Sequence, residues 1–155
     1  VRNRDALIPL MQAVTRTRTT AEWIAALEHR AVPCGPINTV AQAAAVVQEI
    51  NNPFFKTMLD TSSAGLAETL SMPELIALWM PQGVMAHVQL NDPNRRAPGQ
   101  GQMRFGPILA ALQQQAYSGV VAVEPFDYFP DGPGCAAWSA AYLKGLLENA
   151  ARPTS

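Results

Sequence analysis

From Pro53 onward the sequence spells one unit three times, and that repetition limits the folds open to it more than any other feature. The runs FKTMLDT (55–61), GVMAHVQLND (83–92) and GVVAVEPF (119–126) are short and β-rich, and each is followed by a loop and a helical pattern. Ser71 and Glu74 form a capping box before PELIALWM, Pro107 opens ILAALQQQAY, and CAAWSAAYLKGLLENA closes the repeat region. Strands that alternate with helices imply parallel βαβ units with right-handed crossovers, so the fold class is α/β.

Because strand side chains alternate between faces, the register can be read directly. Met58 and Asp60 oppose Thr57 and Leu59. His87, Gln89 and Asn91 oppose Val88 and Leu90, and Ala122 and Glu124 oppose Val121 and Val123. One face of each run is apolar and suits packing against helices. The other face ends in an oxygen-bearing side chain: Asp60, Gln89 and Glu124. With neighbouring strands about 4.8 Å apart, three such groups at successive carboxyl ends are placed to converge, where open α/β sheets and barrels keep their sites. Carboxylates and an amide carbonyl are hard ligands suited to Mg²⁺ or Mn²⁺. The same residues also fit solvated strand ends. The loop NDPNRRAPGQG places Arg95 and Arg96 among turn formers, as an anion or hydroxyl clamp or as a solvated loop.

The residues before Pro53 follow another grammar. Asn3 can cap a segment with Asp5 in its first turn, and Pro9 must lie in that turn or kink the helix. Thr19 and Glu22 form a capping box before AEWIAALEHR, and VPCGP stops that helix. A third helix is expected over 39–50, carried by Val40, Ala44 and Val47. Glu28 and His29 read as solvated residues at a helix end, His87 as facing the sheet's inner side, and Trp23, Trp79 and Trp138 as helix-packing residues.

Composition narrows the functional classes. In 155 residues, 48% hydrophobic and 15% charged suffices for a core, and a net charge of -1 without a basic block disfavours nucleic acid and anionic membranes as partners. No apolar run approaches the ~20 residues of a membrane span, and the first residues lack a signal-peptide pattern, so a cytoplasmic location is expected. Two unpatterned cysteines, Cys34 and Cys135, exclude a zinc ribbon and argue against a disulfide framework. A start at Val1 suggests a fragment.

Two resemblances follow from these motifs. MLDTSSAG, AHVQLNDPNRRAPGQGQMRFGPILAAL and GVVAVEPFDY together resemble the carboxyl-terminal half of the xylose-isomerase-like sugar isomerases and epimerases. That is a TIM-barrel family containing the ketose 3-epimerases and hydroxypyruvate isomerase, and the match spans about residues 38–148. It implies a partial (βα) barrel with about three parallel strands, preceded by two short helices. It also implies a divalent metal, Mn²⁺ or Mg²⁺, held by Asp60, Gln89 and Glu124, with Glu124 as a catalytic base and Arg95 contacting the substrate, a small sugar or hydroxy-ketone. Gln89 departs from the His of the epimerases and is similar to the Gln of hydroxypyruvate isomerase-like members, whereas Ser63 stands where many epimerases carry a substrate-contacting His.

Residues 2 to about 43, ending in AVPCGPINTV, resemble instead a carboxyl-terminal segment of class III coenzyme A transferases. The stretch INTVAQA fits both families, which implies a recombination there. The expected organisation is a helical transferase-like segment over 1–37, a partial barrel over 38–150 and a disordered tail over 151–155. By the resemblance, the first of the isomerases' two glutamate bases lies on an earlier strand and the transferases' catalytic aspartate in another domain. A three-stranded sheet with open edges also invites homo-oligomerisation.

Overall fold

The structure, a computed structural model, describes residues 3–35 and 39–150. The expected boundary at 37/38 and the expected tail at 151–155 lie outside these residues. The chain divides into two compact units, Val1–Ile37 and Asn38–Ser155.

The first unit holds α1 (Arg4–Thr15) and α2 (Thr20–Glu28). Pro9 sits inside α1, beyond its first turn, and Asn3 occupies the N-cap position without a side-chain bond. The Thr19–Glu22 capping box forms as its sequence requires: the Thr19 N–H and hydroxyl both donate to Glu22 Oε2 at 2.8 Å. These donors hold the Glu22 carboxyl below its ordinary range. Trp23 Nε1 donates to the Thr15 carbonyl at 2.9 Å, and the Arg18 guanidinium lies over the Trp23 ring, joining the two helices. No described residue of this unit is buried.

The second unit carries α3 (Val40–Ile50), β1 (Thr57–Asp60), α4 (Thr61–Ala67), α5 (Met72–Trp79), β2 (Met85–Gln89), α6 (Phe105–Gln114), β3 (Val121–Ala122) and α7 (Gly132–Ala150). The three strands form one parallel sheet in the order β1-β2-β3. Its helix-facing side is the core: Leu59, Val88 and Leu90 are fully buried with Ile76, Phe105 and Ile108. Val40, Ala44 and Val47, the residues expected to carry the third helix, are its buried positions.

Several sequence expectations need correction. Helix α4 starts directly after Asp60, with no intervening loop. Pro107 lies inside the first turn of α6, which opens at Phe105. The third strand is only two residues long, and Val121 remains 38% exposed, so its expected apolar face is only partly covered. Trp138 is 47% exposed, and its indole donates to the Pro98 carbonyl at 3.0 Å. In β2 a register irregularity lies between Thr57/Met85 and Met58/His87, leaving Ala86 as the extra residue. Simple alternation would put Met85 with His87, but the irregularity lets Met85 be buried while His87 stays half-buried. Tyr117 anchors this point: its hydroxyl lies within hydrogen-bond reach of the Ala86 and Val120 carbonyls, and burial pushes its pKa up.

Candidate metal and substrate site

The carboxyl ends of β1 and β2 are in register, with Asp60 directly opposite Gln89 and Gln89 opposite Ala122. Glu124 lies two residues past that partner, beyond β3. Asp60 and Gln89 therefore lie side by side at the carboxyl end of the sheet, with Glu124 on the loop that leaves β3.

Each side chain meets a different environment. Asp60 is the N-cap of α4: its Oδ1 accepts the Ser62 N–H at 2.8 Å and the Ser62 hydroxyl at 2.7 Å, and its Oδ2 accepts the Ser63 hydroxyl at 3.3 Å. Ser63 is thus within hydrogen-bond reach of the carboxylate that the sequence resemblance assigns to the metal. The side chains of Gln89 and Glu124 have no hydrogen-bond partner among the described residues, and Glu124 is exposed.

Asp60 Oδ2 bears only the longer of these three contacts, so lone pairs remain on all three groups. The donor set, two carboxylates and a carboxamide, fits a hard divalent cation. Among the described residues no three His, Cys, Asp or Glu side chains cluster so as to hold a metal, so a site here depends on the Gln89 amide as its third donor.

The loop after β2 is tied down at many points, and this its sequence concealed. Asn91 shares the parity of Gln89, so alternation places it on the open face, yet it is fully buried. The strand stops at Gln89, and the backbone then folds inward. The Asn91 N–H donates to Thr61 Oγ1 at 2.9 Å, the Thr61 hydroxyl donates back to the Asn91 carbonyl at 2.7 Å, and Asn91 Oδ1 accepts the Glu124 N–H at 2.6 Å. Asp92 is also buried, with Oδ1 accepting the Met103 N–H at 3.2 Å. Gly101 is required beside it, because a Cβ there would collide with Asp92 Oδ1.

Arg95 takes a left-handed φ of 73°. Its carbonyl accepts the N–H groups of Phe126 and Asp127 at 2.8 and 2.9 Å, which joins this loop to the segment that follows Glu124. The Arg95 guanidinium is free of ion pairs among the described residues and lies 6.0 Å from the Phe126 ring. Arg96 does the opposite: its Nε donates to Asp127 Oδ2 at 2.8 Å, and its guanidinium lies over Phe129. The two adjacent arginines thus divide the work, Arg96 bracing the loop and Arg95 leaving its charge available. Glu28 and His29 are exposed at the end of α2, within the first unit.

A sequence model described as "Xylose isomerase-like TIM barrel" matches residues 16–146. The D-psicose 3-epimerase of Agrobacterium fabrum is 34% identical over 90 residues, 58% of this chain and 30% of that protein. The D-psicose 3-epimerase of Enterocloster bolteae is 33% identical over 90 residues, 58% and 29% of the two chains. This chain therefore spans about a third of the length of these curated relatives. A crystal structure of D-psicose 3-epimerase in the presence of D-fructose superposes with a TM-score of 0.54 at 34% identity, covering 59% of this chain and 30% of the other. L-ribulose 3-epimerase shares the fold at a TM-score of 0.61 and 21% identity, covering 73% of this chain and 43% of the other. The three parallel strands and their helices are a portion of the same barrel, and the chain belongs to the xylose isomerase-like TIM barrel family.

Proposed function

We propose that this chain carries the metal and substrate residues of a divalent-metal-dependent isomerase or epimerase acting on a small sugar or hydroxy-ketone. The observation that supports this reading most directly is the register of Asp60 against Gln89, with Glu124 held to the same edge through its own N–H. Asp60, Gln89 and Glu124 would hold Mn²⁺ or Mg²⁺, and the bound cation would polarise a substrate carbonyl. Glu124 is suited to hold and return the proton on the carbon next to that carbonyl, since its carboxylate is exposed and makes no internal hydrogen bond among the described residues. The reaction class needs a second base on the opposite face of the substrate. We assign only one of the pair, Glu124, to these strand ends. Arg95 would orient the substrate through hydroxyl or carbonyl oxygens, with its backbone fixed by Phe126 and Asp127.

One observation favours a second reading, a folded but non-catalytic fragment. The Asp60 carboxylate already accepts from Ser62 and Ser63 as a helix cap, a structural use that needs no cation. A calorimetric Mn²⁺ titration separates the two. Saturable binding near one ion per chain, abolished by Glu124→Gln, is the expected result. A folded protein that binds no Mn²⁺ sinks the metal-dependent reading in favour of the fragment.

A further inference from the structure

We infer that Asn91 is a positioning residue that sets the third strand end against the first two, using only the oxygen of its carboxamide. This inference deepens the reading of Asp60, Gln89 and Glu124 as one site and rests on it. The ladder between β2 and β3 ends at Gln89 and Ala122, followed by one last bond from the Leu90 N–H to the Ala122 carbonyl at 2.9 Å. Beyond it the Glu124 N–H has no strand partner, and Asn91 Oδ1 takes that place at 2.6 Å. The same residue's backbone is held on both its N–H and its carbonyl by the single hydroxyl of Thr61, the residue after Asp60. Asn91 itself follows Gln89 by two positions. Two proposed ligands at strand ends and a third on the loop after β3 are thus joined through one fully buried side chain and one buried hydroxyl, independently of the sheet's own ladder.

The chemistry of the position accounts for an amide there. Only an oxygen can accept the Glu124 N–H, so the orientation of the carboxamide is fixed, and Nδ2 is left buried without a partner. An unpaired buried donor is costly, and a residue that bears the cost retains the amide for what its oxygen does. Aspartate would supply the oxygen but bury a charge without a cation beside it. Leucine would match the volume and leave the Glu124 N–H unmet.

The test uses the full chain with Asn91→Leu, and Thr61→Val as a second variant that loosens the same staple from the β1 side. Two quantities are read: the hydrogen-exchange rate of the Glu124 amide, and the Mn²⁺ affinity by calorimetry. The inference expects Glu124 exchange to rise about tenfold or more in Asn91→Leu, and Mn²⁺ affinity to fall on the order of 10- to 100-fold, as when a group that orients a metal ligand is removed. Thr61→Val lowers the affinity in the same direction while Asn91 Oδ1 remains. An unchanged Glu124 exchange rate in folded Asn91→Leu overturns the inference whatever the metal does. So does unchanged Mn²⁺ affinity in a protein whose wild type binds the ion. If the wild type binds no Mn²⁺, the metal reading fails by itself, and faster exchange at Glu124 still upholds Asn91 as the staple. Should Asn91→Leu fail to fold, unaltered Mn²⁺ affinity in Thr61→Val, beside a wild type that binds the ion, is the overturning result.

Discussion

The sheet is held together in two different ways. Between β1 and β2 it is a ladder over a core, with Leu59, Val88 and Leu90 fully buried and Asp60 opposite Gln89. Between β2 and β3 only two residue pairs are in register, Val121 is partly exposed, and the third strand end is fixed by side-chain and loop bonds instead. Hydrophobic burial sets the first pair, and polar satisfaction sets the second. The lesson is that one site edge can be assembled from a well-packed half and a tethered half, and that the two will fail differently.

The largest expected effect falls on the packed half. Leu59 has no exposed surface, and truncating a fully buried leucine to alanine costs about 2–5 kcal/mol, through lost burial and the cavity left behind. The tethered half should scarcely notice an equivalent change: Val121→Ala removes a partly exposed side chain and should cost about 0.5 kcal/mol or less. Urea unfolding of both variants checks the contrast. Equal costs would show that β3 is packed as firmly as β1, against the geometry described.

A smaller effect is expected at the brace of the tethered half. Arg96 reaches Asp127 at 2.8 Å with both side chains well exposed, and its guanidinium covers Phe129. An exposed ion pair contributes about 0.2–1 kcal/mol, and an exposed cation–π contact about 0.5–1 kcal/mol. A double-mutant cycle with Arg96→Ala and Asp127→Ala should give a coupling below about 1 kcal/mol, and Arg96→Ala alone should cost more than Asp127→Ala because it also uncovers Phe129. Equal costs would leave the ring contact without energetic weight.

The packed half was legible in the sequence and the tethered half was not, for a physical reason. Period-two alternation reports a half-buried strand, so Leu59, Val88 and Leu90 could be assigned to the core and Asp60 and Gln89 to the open edge. Three units of strand and helix gave the parallel order, and they lie within the residues, 16–146, that the family model matches. Alternation ceases to inform where the strand ends, and Asn91, one step past the ladder, turns inward instead of outward. The irregularity at Ala86 left no mark in composition, because it inserts a residue without changing the apolar pattern on either side. Helix α4 was hidden because TSSAGLA is a weak helix former, and its start depends on Asp60 acting as cap. The signal that could have found Asn91 is the company it keeps: an asparagine and an aspartate following a strand, ahead of a proline, are turn residues whose side chains bond backbone groups. The division between Arg95 and Arg96 depends on a left-handed residue and on Asp127, thirty-one positions beyond Arg96, and no local reading reaches that far.

The smallest expected effect is on pH dependence, and it tests the crossover that joins β1 to β2. Glu74 caps α5 by accepting the Ser71 hydroxyl at 2.6 Å and the Ser71 N–H at 2.8 Å, and these bonds, the hydroxyl first, hold its carboxyl below the ordinary value of 4.5. A carboxyl whose folded pKa is depressed stabilises the fold above its unfolded pKa, and the benefit is lost as pH falls through the lower, folded value. Wild type and Glu74→Gln should therefore differ by a constant margin above about pH 5 and converge as the solution is acidified. Because the group is fully exposed, the margin should be small and should shrink in high salt. Denaturant midpoints measured for both proteins from neutral to acid pH decide the matter. Curves that stay parallel throughout would show that the charge on Glu74 contributes nothing to the crossover between the two packed strands.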